Sequence, residues 1–205
     1  IPSFFKNSFN LWEILDGCLS WFTSIDTNLN KIVNKPYHLP TCNLSIKIDF
    51  LIKNKISFDE NLKTGEDVDL CNKFRSLKME LMLIKNANIF HIDRVKFKDF
   101  LKHQLNWGRH HYHLRYKKIL LKSSSLLTII FFLFIFPILV PFLNLIMTYL
   151  ILMPWVKKNF FYILCFFPIL IICFMKSIST YFEFFNDIKN VLLSNFKKLS
   201  NQSEK

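Results

Sequence analysis

The sequence predicts an α/β portion over residues 1–96, a basic interfacial helix over 97–122, two transmembrane helices within 123–178 and an amphipathic tail over 179–205. Three observations carry that reading. "LLTIIFFLFIFPILVPFLNLIMTYLILM", Leu126 to Met153, contains no charge. At about 1.5 Å per residue, roughly 20 residues cross about 30 Å of hydrocarbon, and this run exceeds that length. A second run, "FFYILCFFPILIICFM" from Phe160 to Met175, spans if the helix continues to about Ile178 with Lys176 snorkelling. Upstream of both, short apolar runs alternate between helical and strand-like spacing.

Taken in order, Leu11 to Phe22 has the period of a helix. "NLSIKIDFLIKN" from Asn43 is apolar-rich, strand or helix by pattern alone. After Thr64-Gly65, Leu70, Phe74 and Leu77 recur at helical spacing, and "ELMLI" and "ANIFHI" read as two short strands. Phe97 to Tyr116 interleaves Phe97, Phe100, Leu101, Leu105 and Tyr112 with basic and histidine residues, which suits a helix lying in the headgroup layer. Pro137 and Pro141 predict kinks in the first span. Three glycines leave no glycine-rich phosphate loop, and five cysteines without a CxxC pair read as reduced, buried thiols. The chain opens Ile1-Pro2 and reaches its first methionine at Met79, which predicts the tail of a longer protein.

Net charge is +12 over 205 residues, unevenly spread. Arg94 to Lys122 holds nine Lys or Arg against one acid, Asp99. Such a block could bind nucleic acid, but the spans that follow assign it to the cytoplasmic membrane face by the positive-inside rule. The connecting loop carries only Lys157 and Lys158, so both ends are expected in the cytoplasm and nucleic acid is not an expected partner.

Glu66 and Asp67 stand side by side between Gly65 and an apolar period. Acids in a first turn favour the positive end of a helix dipole, and Thr64 with Asp67 approximates a capping box. The same carboxylates could instead serve chemistry. Asp67-Val68-Asp69 also spells DxD, which at a helix start is a poor rigid metal clamp. His91 closes a predicted strand and, as neutral imidazole, is a ready metal ligand. His103, His110, His111 and His113 match no compact metal motif and read as interfacial.

"LPTCNLSIKIDFL", "ISFDENLKTGEDVDLCNKFRSLKMEL", "ANIFHI" and "QLNWGR" follow one another over roughly residues 36 to 118. In that order they resemble the C-terminal half of a bacterial family 2 glycosyltransferase with the GT-A fold. The resemblance implies a sugar moved with inversion from a nucleoside-diphosphate sugar to a glycan or lipid-linked acceptor, at the cytoplasmic face of the inner (plasma) membrane. It implies a divalent metal, magnesium or manganese, held mostly by a nucleotide-binding half that would precede residue 1. Asp67 would be the general base. Glu66 would support it or orient the acceptor, Asn43 would lie near the acceptor pocket, and His91 would help bind metal or diphosphate. Gln104, Trp107 and Arg109 would hold donor or acceptor, although "QLNWGR" departs from the family's QxxRW pattern. By this reading the chain alone is inactive. The rival expectation is a non-catalytic membrane protein whose basic helix binds anionic lipid or a partner.

Overall fold

The computed structural model describes residues 10–22, 31–32, 39–60, 62, 64–83, 91–116 and 130–203. The first helix, α1 (Leu11–Trp21), starts where Asn10 Oδ1 accepts the backbone N–H groups of Trp12 at 3.0 Å and Glu13 at 3.3 Å. Such a cap satisfies donors that the first turn leaves without helical partners. The apolar run after Asn43 resolves as a short helix, α2 (Ile48–Lys53). The helix α3 (Glu66–Ser76) follows Gly65, whose φ of +79° suits a residue without a Cβ. Leu70, Cys71 and Phe74 of α3 close a small core with Leu39 and Leu81, and Phe50 and Leu51 of α2 pack against it.

The α/β expectation is not met. Among the described residues, strand pairing is confined to Lys31–Ile32 (β1) against Met82–Leu83 (β2), antiparallel, and everything else regular is helical. The GT-A-like half-domain is therefore overturned as a description of this fold. The physical reason is visible in "IKIDFLIK". A short apolar run becomes a strand only where neighbouring strands take its backbone groups, and here it satisfies them within a helix instead. "ELMLI" supplies one of the two paired segments. Of "ANIFHI", residues 87–90 lie outside the described residues, and His91 and Ile92 belong to no strand.

The helix α4 (Phe97–His111) continues into a wider π-helical turn, Tyr112–Tyr116. Phe100 is buried against α1 and the apolar helices, and Tyr112 is buried against Phe184. The first apolar run forms α5 (Phe136–Val156), entered through a π-helical turn at Phe131–Ile135. Pro137 follows directly on that turn, at the start of α5. Asn159 caps a 3₁₀ segment, Phe160–Cys165, that leads into α6 (Phe166–Ser203), so the second apolar run and the tail form one helix. Leu133–Val156 and Phe160–Asn190 are each long and apolar enough to cross a membrane.

Where α4 meets α6 the backbones nearly touch. A Cβ added at Gly108 would stand 2.4 Å from the Lys176 carbonyl oxygen and 2.8 Å from Ser179 Cβ. Ser179 Oγ donates to the Leu105 carbonyl at 2.8 Å, and Thr180 Oγ1 to the Gly108 carbonyl at 2.7 Å. Small residues and hydroxyls close this seam as they do between membrane helices. In the α5–α6 pair, Ser177 Oγ donates to Asn144 Oδ1 at 3.0 Å.

Candidate functional site

Gly65 turns the chain into α3 directly against Trp107 of α4 and Leu114. A Cβ there would lie 3.0 Å from Leu114 Cδ1 and 3.6 Å from Trp107 Cζ3, so the turn before Glu66–Asp67 rests on the indole of "QLNWGR". Two of the sequence-derived elements are thereby in contact. Gly65, rather than Thr64, stands at the N-cap position of α3. Asp67 Oδ1 accepts the N–H of Val68 at 2.8 Å. Asp69 is paired with Lys73 at 2.7 Å, one turn on.

The turn at Thr41–Asn43 lies beside this site. Its exposed Cys42 thiol is pushed up chiefly by partial desolvation, and the charge of Asp67 adds to the shift. Asn43, on the same turn, is exposed. On the α4 side, Trp107 Nε1 donates to His103 Nε2 at 3.0 Å, which requires that nitrogen to be unprotonated. His103 is held down to about 4, first by burial and then by the Arg94 guanidinium. His110 is also lowered, by burial and by neighbouring His113, while the charge of Glu66 partly opposes the shift. These imidazoles are neutral at ordinary pH.

The remaining predicted residues are placed elsewhere. Gln104 is buried and donates from Nε2 to Asp16 Oδ1 at 3.2 Å. Arg109 is exposed, its Nε 3.6 Å from Glu183 Oε1 on α6. His91 Nδ1 lies 3.0 Å from Asp93 Oδ1, which also accepts Trp21 Nε1–H at 3.1 Å. Among the described residues no group of three or more His, Cys, Asp or Glu could hold a metal ion.

The residue that sequence reasoning missed is Asp16. It is wholly buried on α1 and receives Arg94 through both the backbone N–H at 3.1 Å and Nη1 at 2.9 Å. With Gln104 it ties three segments together behind the site. The available signal was an acid on the apolar side of α1, between Leu15 and Cys18. Gly108 and Glu183 were missed too, because their partners belong to a distant helix.

No protein-family model, curated protein or solved structure matches the chain.

Proposed function

We propose that the chain carries the acceptor-side part of a membrane-attached inverting sugar transferase. It would act at the cytoplasmic face of the inner (plasma) membrane, moving a sugar from a nucleoside-diphosphate sugar to a cell-surface glycan or lipid-linked acceptor. The observation that carries this reading is the contact of the Gly65–Glu66–Asp67 turn with Trp107 and Leu114. The resemblance rests on both motifs, and a catalytic carboxylate needs a fixed support. In the proposed reaction Asp67 takes the proton of the acceptor hydroxyl as its oxygen bonds to the anomeric carbon. The bond from that carbon to the diphosphate breaks, and the diphosphate leaves with the electron pair. A carboxylate of modest basicity suffices, because the hydroxyl becomes acidic only as the new bond forms. Glu66 orients the acceptor, Asn43 borders its pocket and Trp107 fixes the turn. Gln104 and Arg109, engaged by Asp16 and Glu183, position α4 rather than hold substrate.

The test compares Asp67→Asn with Asp69→Asn in the protein as the cell makes it, measuring sugar transfer and thermal stability together. Loss of a general base is typically worth about 10²–10⁴-fold in rate. Asp67→Asn should lose transfer by that order with near-native melting. Asp69→Asn should stay active, since breaking the surface pair with Lys73 costs about 1 kcal/mol or less. Near-native transfer by Asp67→Asn would reduce the paired acids to a helix start.

A further inference from the structure

The apolar hairpin of α5 and α6 has two unlike flanks. On one flank, Trp155 beside the Lys157–Lys158 turn donates its indole N–H to the Cys18 carbonyl at 3.2 Å. Ile14, Leu15 and Cys18 of α1 share a core with Tyr162, Cys165 and Ile169, and Phe100 of α4 joins it. This flank of α1 therefore lies at the turn end of the hairpin. The open end is marked by Gly108 against Lys176 and by Tyr112 against Phe184. From Tyr162 to Phe184 is roughly 30 Å of helix, about the thickness of a bilayer's hydrocarbon.

A hairpin crossing the bilayer along that length would carry α1 and the start of α4 into the hydrocarbon beside it. Lys96, Lys98, Asp99 and Lys102 are exposed on that part of α4. Each charge held at such depth disfavours insertion by roughly 10²-fold. The opposite flank has no such obstacle. Phe142, Ile146 and Leu150 of α5, with Leu164, Phe167 and Ile171 of the second arm, are exposed or largely so and form an uncharged face. Exposed Lys157 and Lys158 at one end and Lys189 at the other suit anionic headgroups at its borders.

We infer that the hairpin lies within one leaflet of an anionic bilayer, its uncharged face among the acyl chains. Its α1–α4 flank then faces the same aqueous side as Glu66 and Asp67, and the Lys157–Lys158 turn stays on that side. Length and composition fit this arrangement as well as a crossing, so the expected two-span topology gives way to a one-sided anchor. The inference stands apart from the transfer reaction and would survive its failure.

The chain supplies its own reference, because Cys42 is exposed while Cys18, Cys71, Cys165 and Cys173 are buried. The experiment compares Cys42 in the native protein with Lys158→Cys in a Cys42→Ser background. A membrane-impermeant maleimide is applied to intact and to lysed cells, and membranes are washed in alkaline carbonate. Both thiols should show the same sidedness, labelled or protected together in intact cells, with the protein retained in the washed membranes. Opposite sidedness would establish a crossing and overturn the inference. Release of most of the protein by carbonate would overturn it as well, because some occupant other than lipid would then cover the uncharged face.

Discussion

Around α3, a core of Leu39, Leu70, Cys71, Phe74 and Leu81 lies under a surface that exposes Ile48, Ile52, Phe58, Leu77 and Met82. Along α4 and α6, by contrast, a glycine backbone rests on a carbonyl and two hydroxyls close the gap. Behind that seam, Asp16, Arg94 and Gln104 fill a polar interior. The first region holds the candidate base on a lightly covered helix. The second packs backbone directly against backbone. The difference separates two jobs, since a reacting carboxylate must be reachable whereas its support must not move. Trp107, gripped through His103 and lying against Gly65, links the two. Substitutions in the seam should therefore act on stability, and substitutions at the start of α3 on transfer.

The largest effect is expected at Asp16. Asp16→Ala leaves the Arg94 backbone N–H and the Gln104 amide without their acceptor inside a closed interior. Breaking a buried charge pair costs about 3–5 kcal/mol. Arg94 retains some access to water, which places Asp16→Ala toward the lower end of that range. Thermal unfolding in detergent micelles should show the loss, and Asp16→Asn, which keeps an acceptor, should lose less. Equal melting of native protein and Asp16→Ala would mean that the polar interior does not hold the seam together.

A smaller loss is expected at Gly108→Ala. The added methyl group meets backbone at Lys176, which cannot rotate away, and overpacking typically costs about 1–3 kcal/mol. The informative control is Gly65→Ala, which meets movable side chains but forces a left-handed residue to carry a Cβ. Gly108→Ala should lower the melting temperature with little change in the transfer rate of the protein that remains folded. Gly65→Ala should disturb transfer, because it displaces Glu66 and Asp67 from Trp107. If Gly108→Ala cut transfer more than Gly65→Ala, the division of labour between the regions would be wrong.

What was legible in the sequence follows the same division. Helix α1, the two apolar helices and the helix start at Glu66 were readable, because each declares itself through a local period, a cap or an uncharged run. The paired acids were also readable, since only their neighbours were needed. The sheet was not. Whether an apolar run such as Ile46 to Lys53 is strand or helix is decided by what pairs with it, and that lies outside the run. Asp16 was illegible for the same reason, as Arg94 stands 78 residues away and turns an oddly placed acid into a buried ion pair. Gln104 and Arg109 were expected to hold donor or acceptor, and their contacts with Asp16 on α1 and Glu183 on α6 could not be read from the local sequence. Local patterns exposed the parts. Only long-range contacts assigned their work.

The smallest and most selective effect is expected from acid. His103 accepts the Trp107 indole N–H on Nε2, so protonating that nitrogen sets two N–H groups against each other. With its pKa lowered from 6.5 to about 4, His103 binds a proton less readily folded than unfolded. Stability from this group is therefore complete above about pH 6.5 and is lost as pH falls toward 4. Carboxylates with ordinary values titrate mostly below that window, which leaves pH 6.5 to 5 as the range where the histidine can be read. The native protein should melt at progressively lower temperature across that range, and Trp107 emission should change with it. His103→Gln keeps a side-chain acceptor for the indole but has no proton to gain, so its melting temperature should be flatter from pH 6.5 to 5. His111, likewise lowered to about 4 by burial, and His110, lowered by burial and by His113, remain in both proteins and contribute to the residual slope. Identical pH profiles for the native protein and His103→Gln would show that the Trp107–His103 bond is not what holds the support beneath Glu66 and Asp67.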